Sequence, residues 1–425
     1  MEKELPVKEN KSVFNDIDKL ISNEFDDLID LNKVDTKVKT WFDTGIYALN
    51  YSCSKNLFGG IPIGRITSID GLSGTGKSLI LASIMKDPKI DYTILIESEG
   101  GGSSAELYEF AGVDMSKMRM LKANTFENYR ISKKDTSIEE VSDNKFPKTK
   151  DTKDFLYKEG VTRIVKKIIN TIQFNNVKKN ILVILDTLGN LQSVRELSGT
   201  PDMGSRSKAV STFFRNFDIS FENTNIAFVF ANKLYTNIGN QWDPYKVSGG
   251  VNVEYNPSLN IRLADTSETD DVSDTEMKVE KERRKSALGS SIKTIKATIK
   301  KSRFGTELRN CRFIIDFSVG PVKYSGLFGL CKDFGIMERK GSSYTILGLF
   351  EDKSFYKKNF IKNIMENEEE NLNKLQTLLE KAETEILLKS KNLQVNDESD
   401  IIDEEDITEE DYSEMKKQMI REIEN

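Results

Sequence analysis

Histidine is absent from all 425 residues of the chain. That removes histidine general bases and histidine metal ligands, so any hydrolytic chemistry must rest on carboxylates. Cysteine occurs three times, at Cys53, Cys311 and Cys331, an odd and widely spaced set that fits no metal site and reads as reduced thiols in a cytosol. No apolar run reaches the roughly 18 to 20 residues that a membrane-spanning helix needs. The opening stretch, MEKELPVKEN, lacks the apolar centre of a signal peptide. These absences predict a cytoplasmic protein with no membrane partner.

The net charge is −6, which on its face argues against a polyanionic partner. Its distribution argues otherwise. Residues Asp397 to Glu414 hold 11 acidic side chains and no basic ones, and without them the chain carries +5. An acidic tail on a mildly basic body is a common arrangement where a nucleic-acid surface needs tempering.

Strand-like and helix-like patterns alternate through the middle of the chain. The stretches RITSID, YTILIES, ILVILDT, IAFVFAN, SLNIRL, IKATIKK and CRFIIDF read as strands, several apolar enough to be covered on both faces. Between them, Val161, Ile164, Val165, Ile168, Ile169 and Ile172 follow the helical i, i+3, i+4 rule, as do Val210, Phe213, Phe214 and Phe217. Strand and helix in turn predict an α/β fold with a doubly wound, mainly parallel sheet. Residues 131–155 and 266–291 are charged and poor in large apolar residues, and read as surface insertions or disordered loops. Residues 355–394 are expected to form one long amphipathic helix bearing Ile361, Ile364, Leu372, Leu375, Leu379 and Ile386 on one side. The layout expected is a small N-terminal segment (1–36), an α/β core (37–332), a helical C-terminal region (333–394) and an acidic tail (395–425).

The stretch that carries chemistry is GLSGTGKS, Gly71 to Ser78. It fits G-x-x-x-x-G-K-[ST] in full, after a strand pattern and before a helical one, which is the context a phosphate loop requires. Glycines let backbone N–H groups close around phosphate oxygens, and the helix N-terminus adds a positive dipole. Gly71, Gly74, Thr75, Gly76, Lys77, Ser78 and Leu79 are the predicted nucleotide-binding set. Lys77 would reach the β- and γ-phosphates and Ser78 would ligate Mg2+. ILVILDT ends a buried strand on Asp186, a second acid for Mg2+. LIESEGG offers Glu97 and Glu99 as carboxylates to orient the attacking water, and spacing does not choose between them.

Beyond these residues, the chain resembles the RecA recombinase family, and within it the bacteriophage branch, from Thr44 to Tyr344. TGIYALNYSCSKNLFGGIPIGRITSIDG, GVDMSKM, LDTLGNL, MGSRSKAVSTFFRNF, FANKLYTNIGN, VSGGVNVEYNPS, KKSR, YSGLFGL and FGIMERKGSSY recur in the family's order. The resemblance implies a RecA-like ATPase core and a DNA-dependent ATPase that hydrolyses ATP with Mg2+. It implies helical filaments on single-stranded DNA that exchange strands with a duplex, with loading and single-strand-binding proteins as partners. It matches Glu99 to the catalytic glutamate, Asp186 and Thr187 to the acid–hydroxyl pair, and Lys301 and Arg303 to the basic pair that reaches a neighbour's ATP. It also implies two DNA-facing loops, near 193–207 and 234–254. Met203 and Ile238 match the apolar residues that wedge between base triplets, with Gly204 and Gly239 beside them in the expected DNA-binding set. Lys208, Ser211 and Arg215 match phosphate contacts, and Gly249 and Gly250 a glycine pair in the second loop. Lys233 stands where the family's γ-phosphate sensor is glutamine or histidine. Leu107 occupies the place of an adenine-stacking tyrosine, with Tyr108 beside it as the expected stacking residue. A RecA-fold hexameric helicase, or an ATP-binding accessory protein without strand exchange, are the alternative readings.

Overall fold

In a computed structural model of the chain, residues 38–396 are described apart from 101–104, 143–153, 201–203, 218–219, 223, 237–244, 251, 268–291 and 306, with backbone alone for 391–396. The expected N-terminal segment and almost all of the acidic tail lie outside the described residues. So does nearly all of the 266–291 insertion.

The strands run in chain order as follows. A short ribbon, β1 (Trp41–Phe42) with β2 (Ile61–Pro62), precedes β3 (Ile66–Gly71), β4 (Tyr92–Glu97) and β5 (Met118–Lys122). β6 (Tyr129–Ser132), β7 (Ile138–Glu140) and β8 (Phe155–Lys158) form a separate antiparallel sheet. β9 (Ile181–Asp186), β10 (Ile226–Thr236), β11 (Tyr245–Val247), β12 (Leu259–Thr266), β13 (Ile292–Ser302), β14 (Asn310–Asp316) and β15 (Gly320–Pro321) return to the central sheet. β16 (Glu338–Lys340), β17 (Ser343–Thr345) and β18 (Phe355–Tyr356) make a third small sheet.

The central sheet has 10 strands in the order β15-β14-β13-β12-β3-β10-β9-β4-β5, with β11 paired to the end of β10. The run from β12 to β5 is parallel throughout. The expectation of a mainly parallel sheet therefore holds for the centre, while β12 to β15 continue it antiparallel, so the sheet is mixed. All seven predicted strands are present.

Burial on both faces explains the apolar runs. In β10, Ala227, Val229 and Ala231 join one core with the helices Tyr47–Ser54 and Lys77–Ile84. Ile226, Phe228 and Phe230 join the other, under Val161–Phe174 and Ser205–Phe217. Alternation by size thus decides which helices each face accepts. Phe213 lies at the centre of the second core, fully buried, with ring centroids 5.0 Å from Phe217, 5.3 Å from Phe214 and 5.9 Å from Phe228.

Two expectations are corrected. Residues 131–155 read as a surface insertion or disordered loop, yet the last two residues of β6, all of β7 and the first residue of β8 fall in that range, because Tyr129, Ile131, Ile138 and Leu156 supply enough strand formers for a small sheet. The region 333–394 is not wholly helical, nor is 355–394 one helix. β18 occupies its start, and the helices Phe360–Glu366 and Glu368–Asn396 are separated at Asn367. Asn371 Nδ2 donates to the carbonyls of Asn363 (3.0 Å) and Ile364 (3.2 Å), satisfying the end of the first helix and making the break stable. Phe355, Phe360, Ile364, Leu372, Leu375 and Leu379 are buried in a third core.

Phe213→Ala is expected to cost about 3–5 kcal/mol of unfolding free energy, since it removes the ring on which four others pack. Urea denaturation monitored by circular dichroism measures it.

Candidate active site

Register brings the functional residues to one edge. Gly71 at the end of β3 aligns with Lys233 of β10, and Glu97 at the end of β4 aligns with Asp186 at the end of β9. Because β3, β10, β9 and β4 are neighbours and parallel, the residues that follow them open into a common crevice at their carboxyl ends.

The phosphate loop leads from β3 into the helix Lys77–Ile84. Gly76 is the residue before that helix and has φ +82, which only glycine adopts without strain; a Cβ there would also stand 2.5 Å from Ile315 Cδ1. No side chain caps the helix, so its first amides remain available to an anion. Lys77 Nζ donates to the carbonyls of Gly71 (2.9 Å) and Leu72 (2.8 Å). Burial lowers the Lys77 pKa, partly offset by Asp186. Thr75 Oγ1 donates to Leu72 O at 2.9 Å and closes the turn.

Ser78 Oγ donates to Asp186 Oδ2 at 3.2 Å. Burial, then the negative charge of Glu99, pushes the Asp186 carboxyl up to about 6. A hydroxyl and a buried carboxylate are hard oxygen donors that suit Mg2+. Among the described residues no group of three or more His, Cys, Asp or Glu side chains is arranged to hold a metal. Ser78 and Asp186 would therefore share the ion with phosphate oxygens and water, and the bound ion would screen phosphate charge.

Glu97 and Glu99 separate cleanly. Glu97 is 3% exposed and its Oε1 has no hydrogen-bond partner among the described residues. Glu99 faces the crevice: its Oε1 accepts from Thr187 Oγ1 at 3.4 Å and pairs with Lys233 Nζ at 2.8 Å. Ser98 Oγ donates to Thr187 O at 2.7 Å and accepts from Thr187 N at 2.9 Å, tying the ends of β4 and β9 together. The Asp186–Thr187 peptide is cis.

Tyr108, expected to stack on a base, is instead 1% exposed within the core that includes Ile84 and Val113. Its ring has no free face, so that assignment is withdrawn. Leu107 packs on the border of the same core.

Lys301 and Arg303 do not join the crevice. Lys301 lies opposite Asn260, which aligns with Ser68, three residues before the phosphate loop begins. Arg303 N donates to Ser258 O at 2.9 Å, nearer still to the start of β3. At about 3.3 Å per residue this places the pair on the order of 10–16 Å from Gly71, toward the opposite edge of the sheet. Lys301 Nζ donates to Tyr255 O.

The helix Ser205–Phe217 buries Ala209, Val210, Phe213, Phe214 and Phe217 and turns Lys208, Ser211 and Arg215 outward together. Asn252 Nδ2 donates to Ser211 Oγ. Gly249 (φ +102) packs so closely that an added Cβ would stand 2.8 Å from Val253 Cγ2, and one on Gly250 would stand 3.1 Å from Ser207 Oγ. Both predicted loop ends therefore border this helix. Gly204 is exposed with φ +109. Met203, Ile238, Gly239 and most of the second loop's tip lie outside the described residues. Among the described residues, a cleft of about 550 Å³ lies away from the Gly71–Ser78 loop. It lies beside the first loop, with Arg163, Arg195 and Lys208 on its wall.

Sequence reasoning missed several residues. Asn190 Oδ1 accepts from Lys233 Nζ at 3.0 Å, and Lys293 Nζ reaches Gly74 O at 3.1 Å on the phosphate loop. Asp70, at the end of a strand pattern, is fully buried, accepts from Asn260 Nδ2 at 2.9 Å, and is pushed by burial up to about 7. Asn190 stood within LDTLGNL and Asp70 beside Gly71, but pairing across strands leaves no mark in linear spacing. Protein-family models give no match to the chain, and no curated protein matches it.

The raised Asp186 carboxyl sets a pH dependence. In the folded chain the neutral form is favoured, so this group stabilises most at acid pH, and that contribution is lost as pH rises from its ordinary 3.8 to about 6. Asp186→Asn is therefore expected to match the parent's stability below pH 4 and to exceed it by about 1–3 kcal/mol at pH 7.5. Denaturant midpoints of the two proteins across that range measure the difference.

Proposed function

We propose that this protein is a RecA-like, Mg2+- and ATP-dependent DNA strand-exchange recombinase that works as a helical filament on single-stranded DNA. The observation that carries the reading is the convergence of Lys77, Ser78, Asp186 and Glu99 at the carboxyl ends of adjacent parallel strands. In this reading the loop amides and Lys77 bind the triphosphate and Ser78 and Asp186 hold Mg2+. Glu99 orients and accepts a proton from the attacking water.

The sequence resemblance supplies the DNA half of the proposal, and the outward face of Lys208, Ser211 and Arg215 beside Gly249 and Gly250 supports it. Two cations and a hydroxyl on one helix face suit a phosphate backbone, and glycines beside them let a strand approach closely. The position of Lys301 and Arg303 supports a filament over an isolated subunit. They sit well back along the strands from their own Gly71–Ser78 loop, which fits groups offered to a second copy. A closed-ring helicase gains no comparable support.

Electron microscopy with a non-hydrolysable ATP analogue and single-stranded DNA tests the proposal; helical polymers are expected, and rings or monomers reject it. Lys77→Ala should abolish the polymers. Glu99→Gln should keep them and stop ATP turnover, read by phosphate release. The Lys208→Ala, Arg215→Ala double variant should bind single-stranded DNA with a slope of log affinity on log salt shallower by about 1.4, as expected for two lost phosphate contacts. An unchanged slope places the DNA elsewhere.

A further inference from the structure

Lys233 is held on the crevice wall by more than its place in β10. Its Nζ pairs with Glu99 Oε1 at 2.8 Å and donates to Asn190 Oδ1 at 3.0 Å. Asn232 Oδ1 accepts from the Lys233 amide at 3.0 Å, and Gly189 lets the next segment lie against both residues; a Cβ there would stand 3.3 Å from Asn232 Oδ1 and 3.5 Å from Lys233 Cβ. The ammonium is thus aimed by its surroundings, and it is aimed at the carboxylate that the site needs as a proton acceptor.

The Lys233 and Glu99 side chains are 37% and 27% exposed. At that exposure an ion pair is weak and readily exchanged. A carboxylate oxygen that already accepts from an ammonium and a hydroxyl is a poor base, because the proton it would take must compete with both. An ammonium is a compact point charge with three donors, and it moves to whichever neighbour carries the greater negative charge. Lys233 also aligns with Gly71, so its backbone is beside the phosphate loop while its head is on Glu99.

We propose that Lys233 is a latch on Glu99. In the resting chain it pairs with the carboxylate and withholds it from base chemistry. The terminal phosphate of a triphosphate, more highly charged than a carboxylate, competes for the same ammonium and frees Glu99. A diphosphate lacks the γ-phosphate, and its terminal β group ends one phosphate short of that position, so it leaves the latch closed. Lys233 is then a positioning residue whose effect on hydrolysis runs through Glu99. This rests on the reading of the crevice as a triphosphate site.

Binding, not turnover, tests it. The affinities of the full-length protein for a non-hydrolysable ATP analogue and for ADP are measured by titration calorimetry in four forms: parent, Glu99→Gln, Lys233→Met and the double variant. Removing the Glu99 charge tightens binding of any phosphate, with or without a latch. The latch adds a pair that must break, so Glu99→Gln should improve analogue binding about three- to five-fold more when Lys233 is present than when it is methionine. ADP should show no such coupling. Lys233→Arg, which keeps the charge, should restore the coupling and guards against a merely misfolded methionine variant. Equal gains in the two backgrounds, or equal coupling for ADP, overturn the latch and leave the nucleotide site standing. If no form binds either nucleotide, the triphosphate reading itself falls and takes the latch with it.

Discussion

Parallel pairing of β3, β10, β9 and β4 is the constraint on which the rest of this molecule depends. A parallel strand exposes its carboxyl end where its neighbours do, so whatever follows each strand is delivered to the same edge. Gly71, Asp186, Ser98 and Lys233 are far apart in sequence and share that edge only because four strands run in register. A shift of one residue in any of them would exchange its two faces, setting Phe228 and Phe230 where Ala227 and Val229 now fit. Packing and chemistry are therefore fixed together: the same alternation that sorts large from small side chains also sets which residue ends each strand.

Charged groups crowd the crevice and compete for partners. Lys77 is turned back onto loop carbonyls, Asp186 is raised by burial, Glu97 is buried with an unsatisfied oxygen, and Glu99 is engaged by Lys233. Each of these arrangements leaves a group short of its best partner. In the proposed reading, phosphate and a divalent cation would supply the missing partners.

Much of this was readable beforehand, and the reasons differ by feature. The strands were legible because runs such as ILVILD and IAFVFA admit no amphipathic alternative. The phosphate loop was legible because its glycines, lysine and serine act within eight consecutive residues. Glu99 over Glu97 followed from resemblance alone; the structure adds only that Glu99 meets Thr187 while Glu97 is buried. What stayed hidden depends on contacts between distant segments. Tyr108 was expected to stack on a base because of its place beside Leu107, and nothing local reveals that the first core closes over it. At the break, the Asn371 amide reaches back across Asn367 to carbonyls seven and eight residues earlier. The small sheet of β6, β7 and β8 is invisible to composition because its strands are short and its charged residues point outward.

The separation of Lys301 and Arg303 from Gly71 along the strands has one more consequence. Surfaces that meet through unlike patches repeat head to tail and never close into a twofold pair. If copies join through these groups, the two tips of the resulting polymer would be chemically distinct: one would present Lys301 and Arg303 with no neighbouring loop, the other a Gly71–Ser78 loop with no neighbouring cations. Growth and shortening would then run at different speeds at the two tips, with directionality set by a single chain's own asymmetry.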